Sequence, residues 1–113
     1  MKKDPRVLIE HVLECIDLIE DYLDGKTKND FLESNQLQDA VIRRIEIIGE
    51  AVRNIPSDLK SNYKDIPWNE IAGMRDILIH KYFGVDLELI WEVVVSDIPD
   101  LKERFLRIRR DIK

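Results

Sequence analysis

Cysteine occurs once in this chain, at Cys15, so no intramolecular disulfide can form and the fold does not depend on an oxidising compartment. Long apolar runs are missing too. No uninterrupted apolar stretch exceeds three residues, which leaves neither a membrane span nor a signal-peptide core to be expected. Histidine is scarce: His11 and His80 are the only two, and no Cys/His or Asp/His cluster has ligand-like spacing, so no metal and no cofactor is expected. Neither a phosphate-binding glycine loop nor a strand-to-helix nucleophile elbow is present. Period-two alternation with hairpin turns is absent as well, which argues against strands.

What remains is 113 residues, 44% apolar and 36% charged, enough for one core and too little for two ordinary domains. The expectation is a single domain over residues 1–113, soluble and cytoplasmic. Its net charge of −5 comes from 18 basic and 23 acidic residues, whereas strong non-specific nucleic-acid binders are usually basic. The basic residues gather at the end. Lys102, Arg104, Arg107, Arg109, Arg110 and Lys113 stand against Glu103 and Asp111 alone. Such a tail reads first as a solvated helix face that also suits a helix C-terminus, ahead of an RNA-tracking role.

The apolar residues recur at helical spacing. Asp4-Pro5 is a helix start, and Leu8, Ile9, Val12, Ile16, Ile19 and Leu23 carry one stripe until Gly25 ends it. A second start lies between Thr27 and Asp30, with Glu33 placed to complete a capping box with Asp30. Leu37, Val41, Ile45, Ile48, Val52 and Ile55 continue this helix to Pro56, across a mid-helix Gly49 that fits a close helix approach or a site needing open backbone. Residues 57–66 read as irregular with at most a short turn. Pro67-Trp68 restarts a helix that runs through Ile71 and Met74 and ends around 81–84. Asp86 caps the next, with Leu89, Ile90, Val93 and Val94, and Pro99 opens the last, with Leu101, Phe105, Ile108 and Ile112. The fold class is all-α: an antiparallel bundle of about five helices, two long and the rest shorter.

Chemistry concentrates in Arg75-Asp76-Ile77-Leu78-Ile79-His80-Lys81-Tyr82. Arg75 brings a permanent charge and a planar fork for phosphate oxygens. His80, near a helix end, is suited to exchange a proton near neutral pH. On an ideal helix Arg75 and Tyr82 share a face while His80 is rotated about 140° away, so convergence of Arg75 with His80 requires the helix to end or bend, or a second protomer. The same residues also suit a plain surface ion pair of Arg75 with Asp76, a capping His80 and a core Tyr82. Elsewhere, His11 beside Glu10 and Glu14 reads as a surface histidine, and Cys15 as a small buried hydrophobe.

The pattern Arg-x-x-x-x-His-x-Tyr on the third main helix of a small helical chain resembles the signature of HepT toxins of the HEPN superfamily. The resemblance covers nearly the whole chain. It takes in Ile47-Ile48-Gly49-Glu50-Ala51, Pro67-Trp68, Gly73-Met74-Arg75-Asp76, His80-Lys81-Tyr82, Trp91 and Pro99-Asp100-Leu101. It implies a metal-independent ribonuclease, the toxin of a HepT/MntA toxin–antitoxin pair, with Arg75 and His80 catalytic and Asp76 and Tyr82 supporting. It further implies a homodimer whose motifs face each other, and a partner MntA-like nucleotidyltransferase that adenylylates Tyr82. The same resemblance leaves room for a non-catalytic accessory subunit of that nucleotidyltransferase, or for a structural dimer with a vestigial motif.

Overall fold

The structure, a computed structural model, describes residues 4–80 and 86–112, and of residues 75–80 it describes the backbone. Every regular element among the described residues is helical. They are α1 (Pro5–Leu23), α2 (Lys28–Glu33), α3 (Asn35–Arg53), α4 (Ser57–Ser61), α5 (Trp68–His80), α6 (Leu87–Glu92), a π-helical segment (Val93–Asp97) and α7 (Ile98–Asp111). The all-α class holds. The count exceeds five because the expected second helix is divided and residues 57–61 close a short helix of their own.

Local chemistry explains both ends of α1. The Asp4 carboxylate accepts the Arg6 N–H at 2.9 Å with Pro5 in the first turn, and Gly25 follows the helix at φ +72°, where only glycine is unstrained. Leu8, Ile9, Val12, Ile16 and Ile19 are buried as the stripe requires, and burial pushes the Cys15 thiol above its ordinary value.

The division of the second helix was not legible from its stripe. Thr27 is extended and caps α2 reciprocally with Asp30: the Asp30 N–H donates to Thr27 Oγ1 at 3.1 Å and the Thr27 N–H to Asp30 Oδ2 at 2.9 Å. The box is therefore Thr27 with Asp30, not Asp30 with Glu33. Ser34 is again extended and caps a fresh helix, its hydroxyl accepting the Leu37 N–H at 3.1 Å. At the end of α2, Gln38 Nε2 donates to Leu32 O and to Phe31 O, both at 3.0 Å, and Phe31 O also accepts the Ser34 N–H. Gln38 is buried because those bonds replace water.

Helix α3 lies between α1 and α5, and α7 packs on α1. The core joins α1, α3 and α7 through Ile9, Ile16, Ile45, Ile48, Phe105 and Ile108, all nearly inaccessible. The α6 stripe differs from expectation. Leu87, Ile90, Trp91 and Val94 turn inward at helical steps, whereas Leu89 falls off that arc and is 51% exposed. The π turn over Val93–Asp97 carries the chain from α6 into α7 without a loop.

Replacing Gln38 by Ala removes the side-chain donor to Leu32 O and one of two donors to Phe31 O, and is expected to cost about 1–3 kcal/mol in urea unfolding. Gln38→Leu, which fills the volume but donates nothing, should recover little of it.

Candidate active site and an adjoining groove

Helix α5 is fixed by its beginning. Ile66, Trp68 and Ile71 are buried, the Trp68 N–H donates to Ile66 O at 2.9 Å, and Trp68 Nε1 donates to Tyr63 O at 3.0 Å. The Trp68 ring tilts against Phe105 of α7 with centroids 5.9 Å apart. From this anchor α5 runs back along α3, and Arg53 Nη2 reaches Ala72 O at 3.5 Å. A Cβ at Gly73 would meet open space, so among the described residues no close approach demands that glycine.

The loop before α5 is clamped from the other side by the basic face of α7. Arg104 Nη1 donates to Asp65 O at 2.8 Å, Arg107 Nη2 donates to the Asp65 carboxylate at 3.2 Å, and the Tyr63 hydroxyl donates to Asp111 Oδ2 at 2.7 Å. The Arg107 guanidinium also covers the Tyr63 ring at 5.3 Å. Partial desolvation works to raise the Asp65 pKa, but hydrogen bonding and charge from Arg107 and Arg104 outweigh it and hold the carboxyl below its usual range. Desolvation and the Asp111 contact push the Tyr63 phenol up. Two further α7 cations pair with α1: Lys102 Nζ with Glu20 at 2.7 Å and Asp17 at 3.4 Å, and Arg109 with Glu10 at 3.3 Å. The basic tail thus holds the scaffold that orients α5. It is not a uniform cationic track.

Arg75, Asp76 and His80 all lie on α5, which remains α-helical through His80. Five residues of α-helix set the Cα positions of 75 and 80 about 140° apart around the axis and about 7–8 Å apart along it. Tyr82 lies outside the described residues. Among the described residues, no group of three His, Cys, Asp or Glu side chains is arranged to hold a metal ion, and no helix is long and apolar enough to cross a membrane.

One feature was missed from the sequence. On the other flank of α3, between it and α1, an open groove of about 250 Å³ is lined by His11, Arg43, Glu46, Ile47 and Glu50, among others. His11 is on the surface as expected, but it faces a concavity. Asn54 at the same groove donates Nδ2 to Glu50 O at 2.8 Å, closing the end of α3.

A family model described as ribonuclease HepT-like matches residues 12–108. A Methanocaldococcus jannaschii protein, named as joining a gamma-glutamylcyclotransferase to a candidate RNase, is 58% identical over 112 residues; that match covers 99% of this chain and 50% of the relative. A protein of Thermococcus cleftensis named as a probable ribonuclease HepT is 47% identical, covering 97% of this chain and the whole relative. A candidate RNase of Caldanaerobacter subterraneus is 42% identical, covering 94% and 95% respectively. No solved structure matches.

Because the Asp65 carboxyl has a folded pKa below its unfolded value, the folded state binds fewer protons there, and the stability this contributes is present above pH 4 and lost on acidification. Asp65→Asn should flatten the acid limb of the thermal midpoint between about pH 5 and 2, followed by circular dichroism.

Proposed function

Because the chain belongs to the ribonuclease HepT-like family, we propose that it is a metal-independent endoribonuclease, the toxin of a toxin–antitoxin pair, with Arg75 and His80 of α5 as its catalytic residues. The observation that carries the reading is the sequence motif Arg75–His80–Tyr82, whose Arg75 and His80 lie on a helix held at its first turn by buried Trp68. RNA can supply its own nucleophile, the ribose 2′-hydroxyl. Cleavage then needs proton removal there, proton donation to the departing 5′-oxygen, and a cation beside the pentacovalent phosphorus. Arg75 provides the cation. His80 provides proton transfer, and Asp76 supports Arg75.

One motif histidine per chain is one short of a separate acid and base. A two-fold dimer supplies two, and because positions five apart lie on different faces of an α-helix, the arginine of one copy and the histidine of the other are the natural pair. Ion pairing of the α7 cations leaves a weak long-range field, so RNA engagement is confined to the motif and its immediate surroundings. A partner nucleotidyltransferase neutralises the toxin by adenylylating Tyr82, which adds a phosphate charge and a nucleoside beside the groups that must receive RNA phosphate.

Purified protein in chelator is expected to cut single-stranded RNA, with His80→Ala reducing the rate by at least about 100-fold. Mixing inactive Arg75→Ala with inactive His80→Ala protomers should restore up to about a quarter of the activity if each site draws on both copies. Complete inactivity of the wild-type chain, with tight binding to a nucleotidyltransferase, would instead favour the accessory-subunit role. For the switch, Tyr82→Phe should escape inhibition by the partner with ATP, read as retained RNA cleavage and no added AMP mass.

A further inference from the structure

The groove between α1 and α3 brings together ionisable side chains that no described residue engages, in contrast to most of the α7 cations. On α7 the cations Lys102, Arg104, Arg107 and Arg109 are each matched to carboxylates. In the groove, the side chains of His11, Arg43 and Glu46 make no hydrogen bond or ion pair with any described residue. The floor between them is apolar: Val7, 56% exposed, with Ile47 and the nearly buried Ala51. A concavity of about 250 Å³ with an apolar floor, a guanidinium, an imidazole and an uncommitted carboxylate has room for a nucleobase and polar groups to orient it.

Its position gives the nucleotide a source. Helix α3 packs against both α1 and α5, and a helix with its side chains is about 10–12 Å across, so the groove lies one helix away from the one that carries the motif. Resting on the nuclease reading, we infer that the α1–α3 groove is a base-recognition subsite for a nucleotide flanking the cut bond, and that it selects guanine. The selection follows from hydrogen-bond chemistry. The Watson–Crick edge of guanine offers two adjacent donors, N1–H and the N2 amino group, which one carboxylate fork accepts together. Uracil offers one donor between two acceptors, and its O2 and O4 face a carboxylate unfavourably. Glu46 is the acceptor. Arg43 supplies a fork for the nucleotide phosphate, and the His11 imidazole supplies a stacking plane over Ile47.

The test uses the full-length chain, isotopically labelled, titrated separately with GMP, AMP, CMP and UMP while NMR shifts are followed. GMP is expected to perturb the amides of residues 43–54 and the His11 ring, and to bind at least about fivefold tighter than UMP. Glu46→Gln, a surface change checked for folding by circular dichroism, should lower GMP affinity about five- to tenfold and abolish the preference. Equal response to all four nucleotides, or GMP shifts confined elsewhere, overturns the inference. So do groove shifts that follow protein concentration alone, because they make this face a contact between copies. RNA cleavage and its loss in His80→Ala are measured beside the titration. Cleavage without GMP binding removes the subsite alone, and GMP binding without cleavage removes the nuclease reading alone.

Discussion

Helix α5 depends on one packed corner, where Trp68 lies against Phe105 and hands its indole N–H to Tyr63 O. Everything the candidate site does is downstream of that corner, because Arg75 and His80 sit two and three turns further along the same helix. An aromatic pair of this kind contributes about 0.5–1.5 kcal/mol beyond its buried area, and here it also fixes direction. The Asp65 clamp acts on the same corner from the solvent side. Arg104 and Arg107 hold the backbone that delivers Pro67, so charge and burial position one helix together.

This arrangement reassigns the basic residues of α7. In a chain of net charge −5, a cationic stretch invites a nucleic-acid reading. Four of its side chains are instead committed to Asp65, Glu10, Asp17, Glu20 and Asp100. Exposed pairs of this type are individually weak, at about 0–1 kcal/mol. Their contribution is collective: they join α1, α7 and the loop before α5, three pieces far apart in sequence. The electrostatic surface therefore serves architecture first.

Periodicity made α1, α3 and α7 legible, since each stripe has one apolar face and that face is the buried one. The caps at Asp4 and Asp86 and the turn at Gly25 were legible for equally local reasons. The break at Ser34 was not, because the apolar spacing runs on across it and the deciding bonds come from Gln38, a residue that looks like an ordinary helix surface position. Leu89 was misplaced because a six-residue helix offers too short a stripe to fix its phase. Of the candidate site, the motif was visible as a run of eight residues. The groove was not: His11 and Arg43 belong to different helices, and only the pairing of α1 with α3 brings them to one concavity.

The π turn between Val93 and Asp97 acts as an angular gearing element. Each residue advances an α-helix by about 100°, so the single residue that a π turn accommodates sets the phase of all that follows. With it, Leu101, Phe105 and Ile108 point inward and Arg104 and Arg107 land on Asp65. Losing one residue there would swing the last helix by more than a quarter-turn, carrying its guanidiniums away from their carboxylate and its phenyl ring out of the interior. Length variation among descendants of this chain is thus forbidden at the one junction that has no loop to absorb it.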